Sequence, residues 1–246
     1  MLFMVWPAIS CHMARERKPG IKAPPASPAK IEVVPAILAY SPDEMRARIA
    51  SVPDCPILQI DLMDGKFVNN KTVGLDELAD FSFPPGKLIE YHLMVADPLE
   101  WIGRLPAENE TIFQVHIESV EPAGIPRVRE AVRARGLHCS LAWALNPPTP
   151  LPAIEPHLGG ISEVLVMTVN PGFSGQKYLP EMEEKMRALR AAHPALTIEI
   201  DGGVDKSNAE RAVNAGANRL AAASALFKQK NPQAACQELK RLANHI

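Results

Sequence analysis

The sequence has no apolar run approaching the roughly 18 residues that a helical membrane span requires, no excess of either charge, and no closely spaced cysteines. The first absence argues against a membrane protein. A net charge of −2 and a pI near 6.4 leave no basic field for nucleic acid or an anionic bilayer. Cys11, Cys55, Cys139 and Cys236 are scattered with no CxxC pair, which argues against zinc ligation or a disulfide frame. They read as reduced thiols of a cytoplasmic protein. No serine or cysteine stands beside a convincing base, so covalent catalysis has no support.

What is present is a chain of 246 residues, 47% hydrophobic, ample for one large core. Residues 1–30 differ from the rest. Met1–Ser10 is apolar but lacks a basic leader and is short for a secretory h-region, and Met13 is a second candidate start. Arg15–Lys30 is basic and carries Pro19, Pro24, Pro25 and Pro28, the composition of an extended, poorly ordered N-terminal extension.

Residues 31–246 alternate strand-like and helix-like segments, the pattern of βα units around a parallel sheet. Predicted strands are Glu32–Leu38, Ile57–Leu62, Leu88–Met94, Thr111–Ile117, His138–Ala144, Glu163–Val169, Thr197–Ile200 and Arg219–Ala222. Ser41-Pro42-Asp43-Glu44 starts a helix, with a capping serine, proline at N1 and acids in the first turn. Further helices are predicted at Asp76–Phe81, Leu99–Leu105, Pro126–Arg135, Leu151–His157, Pro180–Ala192, Lys206–Ala215 and Pro232–Asn244. Eight such units in about 215 residues match a small α/β fold, a single (β/α)8 TIM barrel. A doubly wound open sheet is the alternative. It is weakened because Pro35-Ala36-Ile37-Leu38 stands where a GxGxxG turn would follow the first strand.

Chemistry in such a barrel sits at the C-terminal ends of the strands. Strand two ends with Gln59 and Asp61, two apart and so on one side of the strand. A carboxylate inside a buried run is costly without a partner, which marks Asp61 for chemistry. Asp64, before Gly65, is the better fit to a turn cap. Strand three ends with His92 and strand seven runs into Asp201. Asp61, His92 and Asp201 could converge on one divalent cation. His116, at the end of strand four, has no such partner in the sequence pattern and reads as structural.

Loops after strands six, seven and eight have phosphate character. Gly172-Phe173-Ser174-Gly175, Gly202-Gly203 and Ala223-Ser224 are small-residue turns whose backbone N–H groups can approach an anion. They stand where barrels commonly bind phosphate.

Read together, these segments resemble the ribulose-phosphate 3-epimerase family. The likeness runs from Val33 to about Phe227. It rests on Pro35-Ala36-Ile37-Leu38, Met63-Asp64-Gly65-Lys66-Phe67-Val68, His92-Leu93-Met94, Leu145-Asn146-Pro147-Pro148-Thr149-Pro150, Met167-Thr168-Val169-Asn170-Pro171-Gly172-Phe173, Asp201-Gly202-Gly203-Val204 and Ser224-Ala225-Leu226-Phe227, in that order.

The resemblance implies an isomerase of carbohydrate metabolism in the pentose phosphate pathway, interconverting D-ribulose and D-xylulose 5-phosphates. Asp61 and Asp201 would be the catalytic acid/base pair. Asp61, His92, Asp201 and Gln59 would stand at the positions of the metal ligands, for Zn, Fe, Mn or Mg. His92, Gly172, Phe173, Ser174, Gly175, Gly202, Gly203, Ala223 and Ser224 would face the substrate and its phosphate. Met63, Met94 and Met167 would wall the site. The resemblance also implies a homo-oligomer.

Three positions depart from the family pattern. Gln59 replaces a histidine that ligates metal, and its neutral amide oxygen should hold zinc or iron less tightly than imidazole does. Ala36 replaces a serine facing the substrate. Ala223 replaces a glycine and narrows the approach to the phosphate. An epimerase of another ketose phosphate, or a non-catalytic sugar-phosphate-binding protein, therefore stays open. Decarboxylases of related barrels use an Asp-x-Lys-x-x-Asp array, whereas Met63 occupies the lysine position here.

Overall fold

A computed structural model describes residues 30–244. Eight parallel strands close on themselves in sequence order: β1 (Glu32–Ile37), β2 (Ile57–Met63), β3 (Leu88–Met94), β4 (Glu110–His116), β5 (Cys139–Leu145), β6 (Glu163–Met167), β7 (Thr197–Asp201) and β8 (Arg219–Ala222). Pairing of β1 with β8, Val33 opposite Leu220, completes the barrel and excludes the open-sheet alternative. The extension predicted at residues 1–30 lies, but for Lys30, outside the described residues. Among those described, no helix is long and apolar enough to cross a membrane.

Strands of a closed barrel are covered on both faces, and all seven residues of β2 are buried. Alternate side chains serve different layers. Leu58, Ile60 and Leu62 join the large core between strands and helices, with Tyr91, Phe113, Met45, Trp101, Met186 and Leu239. The intervening Gln59 and Asp61 turn inward. At the mouth, Leu38, Met63 and Met94 form a separate apolar cluster against which Phe67 and Val68 pack.

The helices are α1 (Pro42–Ala50), α2 (Leu75–Leu78), α3 (Pro98–Arg104), α4 (Ile125–Ala134), α5 (Met182–Ala192), α6 (Ala209–Asn214), α7 (Ser224–Phe227) and α8 (Pro232–Ala243). The predicted start of α1 is present. The Ser41 hydroxyl accepts from the Glu44 N–H at 3.2 Å, and Glu44 returns a carboxylate oxygen to the Tyr40 N–H at 2.8 Å.

The helix expected at Leu151–His157 is instead two 3-10 turns, Leu151–Ala153 and Glu155–His157. Pro156 lacks the N–H that would bond the Pro152 carbonyl in a continuous α-helix. The scattered cysteines also look different once folded. Cys55 and Cys236, the latter on the buried face of α8, remain free thiols, yet their sulfurs lie 3.1 Å apart.

Candidate functional site

Register assembles the site. Asp61 in β2 pairs directly with His92 in β3, Met63 with Met94, and Met167 in β6 with Asp201 in β7. The strand ends are held from behind. The Thr168 N–H bonds the Asp201 carbonyl at 2.8 Å, and its hydroxyl bonds the Gly202 carbonyl at 2.7 Å.

Asp61, His92 and Asp201 present ligand atoms that all lie within 4.8 Å of one another. His92 Nδ1 is 3.1 Å from Asp61 Oδ1 and 3.2 Å from Asp201 Oδ2. Gln59 closes the group. Its Nε2 donates to Asp61 Oδ1 at 2.7 Å and to Asp201 Oδ2 at 2.8 Å, and lies 3.4 Å from His92 Nδ1.

The electrostatics show a shortage of positive charge. Burial and the Asp201 charge push the Asp61 carboxyl up. Burial alone would pull His92 down, but the two carboxylates prevail and hold it at about 9. A cation at the point where Nδ1 and the two oxygens meet would relieve each effect.

A divalent cation fits the donor set of two carboxylate oxygens and an imidazole nitrogen. Gln59 adds a second sign. Its Oε1 is buried with no hydrogen-bond partner, an orphan that a half-turn of the amide would aim at the cation.

Above this centre a pocket opens at the barrel mouth. It is lined by Asp61, Asp201, Met63, Met94, Met167, Gly172, Phe173, Ser174, Gly175, Gly202, Gly203, Ala223 and Ser224, among others. These are all the predicted site residues except His92 and Gln59, which are fully buried beneath. The two glycines after β7 are required by space as well as by backbone. At Gly202, φ is +126° and a Cβ would fall 2.5 Å from Val169 Cγ2. At Gly203, φ is +66° and a Cβ would strike the Tyr178 backbone. The β6 and β7 loops therefore press together at one wall of the pocket.

Asp64 is the turn cap expected of it. Its Oδ1 accepts from the Lys66 and Phe67 N–H groups at 2.8 and 3.0 Å, and Oδ2 from the Ala96 N–H at 2.8 Å. These donors outweigh partial burial and hold its carboxyl below the usual range.

His116 departs from expectation. It is not an isolated structural residue: its Nε2 lies 2.9 Å from Nε2 of His92, and its Nδ1 3.3 Å from Glu118 Oε2. Burial lowers His116 to about 4 despite Glu118, while His116, Thr149 and Asn146 outweigh burial and hold Glu118 at about 2. The pattern His-x-Glu at a strand end was the available signal.

The Ribulose-phosphate 3 epimerase family model matches residues 32–227. Ribulose-phosphate 3-epimerase, cytoplasmic isoform, of Oryza sativa subsp. japonica is 36% identical over 187 residues, covering 75% of this chain and 81% of the relative. Ribulose-phosphate 3-epimerase of Aquifex aeolicus is 34% identical over 204 residues, covering 81% of this chain and 89% of the relative. In fold alone, the chain is similar to a crystal structure of 3-hexulose-6-phosphate synthase. The TM-score is 0.65 at 16% identity, over 86% of this chain and 99% of that one. With the family model covering all eight strands and both carboxylates, the chain belongs to the ribulose-phosphate 3 epimerase family.

Proposed function

We propose that the protein interconverts D-ribulose 5-phosphate and D-xylulose 5-phosphate, with Asp61 and Asp201 exchanging a proton with C3 of the sugar. The observation that carries this reading is the convergence of two carboxylates, from β2 and β7, on one position at the floor of the mouth pocket.

Inversion at a carbon needs a proton acceptor on one face and a donor on the other, because a single base tends to return the proton where it was taken. One carboxylate oxygen takes the C3 proton, and the electron pair passes to the C2 carbonyl oxygen. The other group, as carboxylic acid, delivers a proton to the opposite face. Asp61, pushed up by burial and by the Asp201 charge, is the acid of the pair in one direction, and the roles exchange in the other.

Asp61, His92 and Asp201 would hold a divalent cation, with Gln59 offering Oε1. When bound, such an ion supplies positive charge beside the substrate oxygens, which a carboxylate needs if it is to act on a carbon acid. Met63, Met94 and Met167 exclude water from the reacting carbons. Backbone N–H groups of Gly172–Gly175, Gly202–Gly203 and Ala223–Ser224 receive the phosphate. The reading includes a cytoplasmic setting, in keeping with the name of the rice relative, and a homo-oligomer on family likeness.

A second reading, a sugar-phosphate binder without turnover, draws on Gln59, whose amide already bridges both carboxylates. One experiment separates them: formation of xylulose 5-phosphate across a Mn2+ titration, with C3 exchange followed in deuterated solvent. We expect turnover that rises with Mn2+, and kcat losses of about 10²–10⁴ for Asp61→Asn and for Asp201→Asn. Background rates throughout, with no exchange, would leave only the binder. Exchange confined to a different ketose phosphate would move the substrate.

A further inference from the structure

A line of hydrogen bonds runs from the centre of the site to the rim of the barrel. Glu118 Oε2 faces His116 Nδ1 at 3.3 Å, His116 Nε2 faces His92 Nε2 at 2.9 Å, and His92 Nδ1 faces Asp61 and Asp201. Both rings are fully buried and lie 5.1 Å apart at 24°, with Phe67 packed 4.9 Å from His116.

The direction of the line follows from counting protons. Between two Nε2 atoms at 2.9 Å there is room for one hydrogen, supplied by one ring and accepted by the other. The far end decides which. Glu118 Oε1 accepts from the Asn146 N–H at 2.8 Å and from the Thr149 hydroxyl. An ionised carboxylate with such neighbours only accepts, so His116 must carry its proton on Nδ1. A neutral imidazole so protonated has a bare Nε2, and His92 must then donate from its own Nε2.

We propose that Glu118, acting through His116, is a positioning residue that fixes the tautomer of His92. Nε2 keeps its proton, and Nδ1 is the atom that presents a lone pair between Asp61 and Asp201. This rests on the reading of Asp61, His92 and Asp201 as a cation site. The polarity is set by Glu118 at the far end of the line and is the same with or without the cation. A carboxylate two residues away from the imidazole it contacts thereby sets the chemistry of an atom in another strand.

Glu118→Gln tests it. Oε1 of the new amide is still required by the Asn146 N–H, so its NH2 must face His116 Nδ1 and donate. That reverses the line: His116 takes its proton on Nε2, and His92 is left with its proton on Nδ1, aimed at the cation position. Long-range 1H–15N spectra of the cation-free full chain should show His116 protonated on Nδ1 in wild type and on Nε2 in Glu118→Gln. Mn2+ affinity by calorimetry should fall about 10–100-fold in the variant.

A wild-type His116 protonated on Nε2 would overturn the proposal even if the variant never folded. So would a variant with wild-type tautomer and wild-type Mn2+ affinity. Wild-type protein that binds no Mn2+ would instead overturn the cation reading and the expected affinity change with it, while the spectrum alone still decides the tautomer.

Discussion

The barrel interior carries clustered carboxyls at two levels, and they differ in what balances them. At the mouth stand Asp61, His92 and Asp201. One layer deeper, two residues earlier in β3 and β7, stand Glu90 and Glu199, joined by Glu163 of β6. Both sets bring ligand atoms within 4.8 Å. The deeper set has its cation built into the chain: Arg219 of β8 bonds both Glu90 and Glu163 through Nη1. Gln114 of β4 adds hydrogen bonds to Glu163 at 3.2 Å and to Glu199 at 2.9 Å. The upper set has only a histidine and an amide, and it opens into the pocket. Proximity of carboxylates is therefore not what marks a cation site. A missing counter-charge together with access from solvent is.

That contrast breaks most visibly if the built-in cation is removed. Arg219→Met leaves three buried carboxyls with no positive partner, and losing one side of a buried ion pair costs about 3–5 kcal/mol. For a chain of this size the melting temperature should fall by roughly 10 °C. Mn2+ affinity at the mouth should stay near wild type, because Arg219 bonds Glu90 and Glu163 and none of the four residues around that site. An unchanged melting temperature would mean that the deeper layer is balanced by protonation alone. A large loss of Mn2+ affinity would mean that the two layers act as one.

Much of this arrangement could be read before folding, and the limits are informative. Asp61 and His92 were legible because each stands inside an apolar run, and Asp201 because it ends one, where desolvation makes a charged group conspicuous. The barrel was legible because strands buried on both faces give continuous apolar stretches separated by helical spacing. Glu90, Glu163, Glu199 and Arg219 lie inside those same stretches and carried the same signal. Their meaning, however, depends on which strands adjoin, and register is not written in any one segment. His116 was missed for the same reason, since its partner comes from β3. The bridge made by Gln59 depends on a rotamer. Pro152 and Pro156, by contrast, were visible signs against a helix after β5, overridden by the expectation of a regular βα repeat.

The deeper layer should also govern the response to alkali. Burial and Glu163 push Glu90 up to about 8, against Arg219, and burial with Glu90 and Glu163 pushes Glu199 well above the usual carboxylate range. A carboxyl whose pKa is raised by folding stabilises the fold fully below about 4.5, its unfolded value, and loses that contribution as pH rises towards 8. His92, raised to about 9, stabilises the cation-free fold below about 6.5 and loses its contribution as pH climbs through 9. The two act in the same direction. With chelator present, the denaturant midpoint should fall steadily between about pH 5 and pH 9. Glu90→Gln, which stays neutral, should make the part below pH 8 shallower while leaving the Glu199 and His92 contributions in place. A midpoint that holds level or rises across that window would show that these carboxyls are not held protonated. Added Mn2+ should remove the His92 part alone, because a ligating imidazole has already lost its Nδ1 proton.

The smallest expected effect concerns Gln59, where the upper layer departs most from a strong cation site. In the cation-free protein this residue is an asset, since its amide hydrogens are the only neutral donors shared by Asp61 and Asp201 among the described residues. Towards a cation it is a compromise, a neutral oxygen reached by turning the amide and leaving the NH2 where Oε1 now stands buried without a partner. Gln59→His exchanges one character for the other. Imidazole is the better donor to Zn2+ or Fe2+, so Zn2+ affinity should rise on the order of tenfold, about 1.4 kcal/mol. The cation-free fold should weaken, because a second imidazole beside His92 repels it when protonated and no longer bridges both carboxylates when neutral. The measurable consequence is a wider gap between the melting temperatures with Zn2+ and with chelator, opened from both ends. Equal gaps in the two proteins would mean that position 59 stays outside the donor set. The upper layer would then bind its ion through Asp61, His92 and Asp201 alone, with Gln59 kept for separating two carboxylates that would otherwise repel.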